Sequence, residues 1–174
     1  MKYVRCNLKT DNVDEVINKY NMKFKADFSF YDLIYANKNG TPITDDMLKI
    51  RVYQSNHWKS KDVLVIRKIA PLVNGTKEDK VLLKEEFDTV EEAISYVDDN
   101  LLNDYDYCFK LQKTGIQYGN DKVDLWKENV ENLGLSVEIG SEDEELIEKV
   151  FSDLDVEERL NESLPEYMYK KLKK

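Results

Sequence analysis

The chain has 174 residues, 41% hydrophobic and 35% charged, which is one domain's worth of sequence with enough apolar material for a core and too much for disorder. Only 3 Pro and 6 Gly occur, and no run approaches the roughly 20 apolar residues of a membrane helix, so collagen-like, low-complexity and membrane-spanning readings fall away. With 26 basic against 35 acidic residues the net charge is −9, which on average repels duplex nucleic acid and anionic lipid.

The opening MKYVRCNLKTDNVDEV has no apolar core behind a basic segment, so no secretory signal is expected and a cytoplasmic setting follows. Cys6 and Cys108 lie far apart in apolar, strand-like contexts and read as small buried thiols.

In chain order, Lys2 to Lys9 alternates, with Val4, Cys6 and Leu8 apolar and Arg5, Asn7 and Lys9 opposite them; period two predicts a strand. Val13, Val16, Ile17 and Tyr20 fall at helical spacing within Thr10 to Asn21. Phe24 to Ala36 is aromatic and β-branched and ends in the turn Asn37-Lys38-Asn39-Gly40, which predicts a long strand. Further strands are expected over Leu48 to Gln54, Asp62 to Ile69 and Lys80 to Asp88, with turn chemistry at Pro71 and Asn74-Gly75. Thr89 with Glu92 forms a capping box and opens a helix to about Leu102; Ser141 with Glu144 forms a second, opening a helix to about Leu154. Between them lie strands over Tyr105 to Thr114, Ile116 to Tyr118, Lys122 to Glu128 and Leu135 to Ile139. Pro165 begins a last short helix.

Eight or so strands joined by hairpins, with three or four helices, predict an α+β domain around an antiparallel sheet, closed or nearly closed into an eight-stranded barrel. Several strands carry charge at alternate positions: Arg5/Asn7/Lys9, Lys49/Arg51 and Lys84/Glu86/Asp88. A sheet with a polar inner face encloses water or a ligand. The lone His57 lies in an expected loop with no nucleophile to partner it. Neither a GxGxxG nor a GxxxxGK[ST] loop occurs, so Rossmann and P-loop nucleotide binding have no support.

Taken in series, these pieces resemble the CYTH superfamily, the triphosphate tunnel proteins that include class IV adenylyl cyclases and thiamine triphosphatases. Phe30-Tyr31-Asp32-Leu33-Ile34-Tyr35 resembles the family's Asp-bearing aromatic strand, and Leu48-Lys49-Ile50-Arg51 its Leu-Arg-Ile-Arg strand. Leu64 to Pro71, with Lys68, resembles the Lys-bearing strand that follows. Lys84-Glu85-Glu86-Phe87-Asp88 is similar to the Arg-x-Glu-x-Glu strand before a helix, VENLGLSVEI at 130–139 to a Val-x-x-Leu-Gly segment ending in Glu-Ile-Glu, and Ser163 to Leu172 to a cyclase-like tail.

The resemblance implies a tunnel that binds polyphosphate. Its phosphate-binding residues would be Arg5, Lys9, Lys49, Arg51, Lys68, Lys84 and Lys110. The carboxylates Glu86, Asp88, Glu138 and Glu128 would hold Mg²⁺ or Mn²⁺. Seven bases against four acids leave +3 inside a molecule of −9, a basic interior in an acidic shell. The family's first-strand Glu-x-Glu-x-Lys is here Arg5-Cys6-Asn7-Leu8-Lys9, so two metal-holding carboxylates are replaced, and Arg5 stands where it would oppose a cation. The expected function is therefore binding of a triphosphate-type anion or nucleotide with reduced or absent metal catalysis. The alternatives are a metal-dependent triphosphatase or adenylyl cyclase-like enzyme, and a protein-interaction domain with a silent tunnel. Dimers are common among the members it resembles. Which of Lys110, Gln112 and Lys113 faces inward is left open, since a one-residue slip swaps the faces.

Overall fold

The computed structural model describes residues 2–55, 61–70, 72–73 and 76–173, with 2–6, 72, 73 and 77 as backbone only. The strands are β1 (Lys2–Thr10), β2 (Lys23–Asn37), β3 (Met47–Ser55), β4 (Val63–Ile69), β5 (Leu72–Val73), β6 (Thr76–Phe87), β7 (Tyr105–Gly119), β8 (Val123–Val130), β9 (Gly134–Ser141) and β10 (Val156–Arg159). The helices are α1 (Val13–Lys19), α2 (Val90–Asn100), α3 (Glu144–Asp153) and α4 (Leu164–Lys173). The expected α+β architecture is present as one ten-stranded sheet in the order β10-β1-β9-β8-β7-β2-β3-β4-β6-β5, antiparallel in every described pairing. The start of β1 also pairs with β6, from Lys2↔Asp79 to Val4↔Lys77. The two short strands β5 and β10 carry too few alternating residues to show in the sequence.

The long antiparallel neighbours β2 and β7 form the spine, paired from Lys23↔Gly119 to Asn37↔Tyr105. Shifts of register at Phe24/Ala26 and Ile34/Tyr35 are bulges, which bend a strand and increase its twist. The two strand pieces expected around Gly115 are one strand. Gly115 is required there because a Cβ would lie 2.4 Å from the Lys127 carbonyl oxygen and 2.8 Å from the Phe28 ring.

Helices cover the outer face in two places. Val13, Val16 and Ile17 of α1 and Ile147, Val150 and Phe151 of α3 bury Val123, Leu125, Val137 and Ile139 of β8 and β9. Ala93 and Val97 of α2 bury Leu48, Ile50, Val63 and Val65 of β3 and β4. Thr89 caps α2 as expected, its hydroxyl accepting from the Glu92 amide at 3.2 Å. For α3 the cap moves two residues on: Asp143 accepts from the Glu145 and Leu146 amides. Ser141 remains in β9 and donates to the Lys122 carbonyl at 2.7 Å. The third cluster lies on the opposite, inner face. There α4 packs Leu164 and Met168, with Leu160 and Ile43, onto Leu8, Ile34, Met47, Leu111 and Val130. No helix among the described residues is long and apolar enough to cross a membrane.

Candidate functional site

Cross-strand partners share a face, so the register fixes which residues line the inner one. Asp32 lies opposite Arg51 on one side and Leu111 on the other, and alternation adds Lys49 on β3 and Lys113 on β7 to the same face. Through Lys49↔Ile66 the face continues to Lys68 on β4. Through Gly115↔Glu128 and Trp126↔Glu138 it continues to Glu128 and Glu138.

Asp32 is 2% exposed and is the hub. The Arg51 guanidinium donates to both carboxylate oxygens, at 2.8 and 2.9 Å, while lying 3.9 Å over the Phe30 ring. The Lys49 ammonium stands 3.7 Å from the same carboxylate. Burial alone would raise the Asp32 carboxyl, but Arg51 and Lys49 outweigh it and hold its pKa at about 2. Lys49 is pushed well below the ordinary lysine range by burial and by the crowding of Arg51, Lys68 and Lys113, with Asp32 opposing. Lys68 pairs with Asp79 at 3.3 Å, and Lys113 with Glu128 at 3.1 Å. Burial, opposed by Lys113 and aided by Glu138, raises the Glu128 carboxyl above its usual range. Four cations from three strands thus converge on one buried patch, flanked by a Glu128/Glu138 pair.

The expected site residues divide as follows. Lys49, Arg51, Lys68, Glu128 and Glu138 come together. Lys84 and Glu86 register on the inner face, opposite Ile66 and Leu64, but are exposed. Asp88 lies beyond β6, exposed, with Lys61 at 3.2 Å, and is no part of the site. Lys110 pairs with Leu33 on the outer face and sits over the Tyr31 ring at 4.4 Å; Lys113 is the inward lysine.

Lys9 is also corrected. It is exposed, takes the left-handed φ of 51° and reaches Glu158 at 4.0 Å. Asn7, expected on the inner face with it, is fully buried beside Val137 on the helix-covered side, and Leu8 points inward instead. The backbone of Arg5 lies opposite Ile139; its side chain, the side chain of Cys6, and all of His57, Pro71, Asn74 and Gly75 fall outside the described residues. Cys108 is a free, partly buried thiol.

Asp32, Lys113 and Asp79 were not among the expected ligands. The signal for the first two was their phase with Phe28, Phe30 and Ile34 on β2 and with Leu111 on β7. Among the described side chains of the inner face, the bases Lys49, Arg51, Lys68, Lys84 and Lys113 meet the acids Asp32, Asp79, Glu86, Glu128 and Glu138, so the expected excess of positive charge is not seen among them. Among the described residues no three His, Cys, Asp or Glu side chains gather as metal ligands. Mg²⁺ is usually held by one or two carboxylates, with water and substrate phosphate completing its shell; on this face the Glu128/Glu138 pair would be such a ligand set, and Glu128 is committed to Lys113.

No family model matches the chain and no curated protein matches it, but solved structures do. A protein of Pyrococcus horikoshii superposes with a TM-score of 0.74 at 20% identity, over 98% of this chain and 99% of that one. A Hippeastrum protein, proposed as an adenylyl cyclase and found to have a dominant triphosphatase activity, gives 0.59 at 14% identity, over 87% and 85%. A Vibrio parahaemolyticus protein proposed as an adenylate cyclase gives 0.58 at 14% identity, over 97% and 96%. The chain therefore has the fold of these adenylate cyclase-like and triphosphatase structures.

Proposed function

We propose that the protein binds a triphosphate-type anion, free or as a nucleotide, on the inner face of the sheet, with metal-supported turnover weakened or absent. The contact between β1 and β6 is read as closing the face into a tunnel. The observation that carries the reading is the convergence of Lys49, Arg51, Lys68 and Lys113 around Asp32. Lys49 is depressed first by burial and then by Arg51, Lys68 and Lys113, neighbours that would gain by meeting added negative charge, and Lys and Arg suit phosphate oxygens as point charge and rigid fork. The weakened metal site is supported by the commitment of Glu128 to Lys113 and by the absence, among the described residues, of three gathered acidic ligands.

Phosphorus NMR of the protein with tripolyphosphate and with ATP, first in chelator and then with Mg²⁺ or Mn²⁺, tests this. The expected result is shifted or broadened phosphate signals that persist in chelator, weakened about tenfold or more in Lys68→Gln, since a hydrogen bond to a charged group contributes about 1.5–3 kcal/mol. Unperturbed signals at millimolar ligand overturn binding and favour a silent interaction domain. Orthophosphate or cyclic AMP released only with metal favours the enzyme alternative, in line with the activity described for the Hippeastrum neighbour.

A further inference from the structure

Resting on that reading, we propose that the site is blind at one end: it takes a short polyphosphate, or a long one only by its terminus, and does not let a chain thread through. The charged band gives way to apolar residues along β2, β3, β7 and β8, while on β4 it reaches Lys68, opposite Met47. On β2 the inward residue after Asp32 is Ile34; on β8 the one after Glu128 is Val130. Toward the same end, Lys113 on β7 is preceded by Leu111 and Lys49 on β3 by Met47, while β1 contributes Leu8 opposite Ser136. None of these is more than 3% exposed, because Ile43, Leu160, Leu164 and Met168 pack against them as one cluster.

This stopper is fastened by polar contacts that are themselves buried. The Glu166 carboxylate accepts from the Ile43 amide at 2.6 Å. The Thr44 and Ser163 hydroxyls meet at 2.9 Å, and the Ser163 amide donates to Thr44 Oγ1 at 3.1 Å. A phosphate advancing past Asp32 would shed its hydration into an apolar cluster that offers it no donor, which a charged group does not do. At the other end β2 still presents the buried Phe30 and Phe28, but the flanking strands do not close over it. Beyond Arg51 the inward residue is Tyr53, beyond Glu128 it is Trp126, both only half-buried, and Lys84 and Glu86 are exposed. Polyphosphate enters there and ends at the band.

Titration of the wild-type protein with tripolyphosphate and with linear polyphosphates of several defined lengths, reading stoichiometry by calorimetry and by sedimentation, decides the matter. The expected result is one protein per tripolyphosphate and no more than two per long chain, one at each end, whatever the length. Loading that rises in proportion to chain length overturns the blind site and leaves the polyphosphate reading standing. Failure of tripolyphosphate itself to bind removes the parent reading, and this inference with it.

Discussion

Replacing Asp32 by Asn keeps the side chain's shape and deletes the charge on which the inner face is balanced. The carboxylate is 2% exposed, holds Arg51 through two hydrogen bonds and faces Lys49, whose side chain is 7% exposed. Removing one partner of a buried ion pair costs about 3–5 kcal/mol because the charges left behind are uncompensated, a large share of the roughly 5–15 kcal/mol that holds a domain together. Part of this is visible through pH. The Asp32 pKa is about 2 against an ordinary 3.8, a gap that corresponds to about 2 kcal/mol at neutral pH. Because the folded value lies below the unfolded one, this stability is present above about pH 4 and is lost as pH falls toward 2. Urea unfolding of wild type and Asp32→Asn from pH 7 to pH 3 should show a gap of several kcal/mol that is flat above pH 4 and about 1 kcal/mol smaller by pH 3. A variant within 1 kcal/mol of wild type at pH 7, or a gap unchanged at pH 3, would refute the hub role of Asp32.

Gly115→Ala places a methyl against the Lys127 carbonyl and the Phe28 ring; the clash should lower the thermal midpoint by several degrees, and an unchanged midpoint would mean that β7 and β8 separate at no cost. Thr89→Ala removes the single side-chain cap of α2 and should cost about 1 kcal/mol in chemical denaturation, with Thr89→Ser restoring most of it. Glu128 has its carboxyl raised by burial, against Lys113. An acid whose folded pKa exceeds its unfolded one is least favourable once ionised. Wild type should therefore gain stability over Glu128→Gln as pH falls from 7 through the carboxylate range, and a pH-independent difference would show that Lys113 fully compensates the charge.

The strands were legible from alternation, and Thr89 from its capping box, because both are local signals that the packing then reinforced. What alternation cannot say is which of its two faces turns inward. The usual assumption sends apolar residues in and charged ones out. β7 breaks it by burying Lys113 beside Leu111 while Lys110 and Tyr107 stay exposed. On β1 the polar positions Asn7 and Lys9 were placed inward by resemblance, yet Leu8 is the residue that meets the α4 stopper.

The pairing of Asp32 with Arg51 depends on a register between β2 and β3 that neither sequence motif contains. Once that register is fixed, the positions of Lys49, Lys113 and Glu128 follow from period two alone. Among the described side chains, the acids that arrive with them offset the expected excess of positive charge. Such a face needs its carboxylates to keep four clustered cations paired in the absence of ligand, and under the proposed reading the same pairing would set what a phosphate must displace: Lys68 and Lys113 would each exchange one carboxylate for it, while Arg51, held at two points and stacked on Phe30, would stay where Asp32 keeps it.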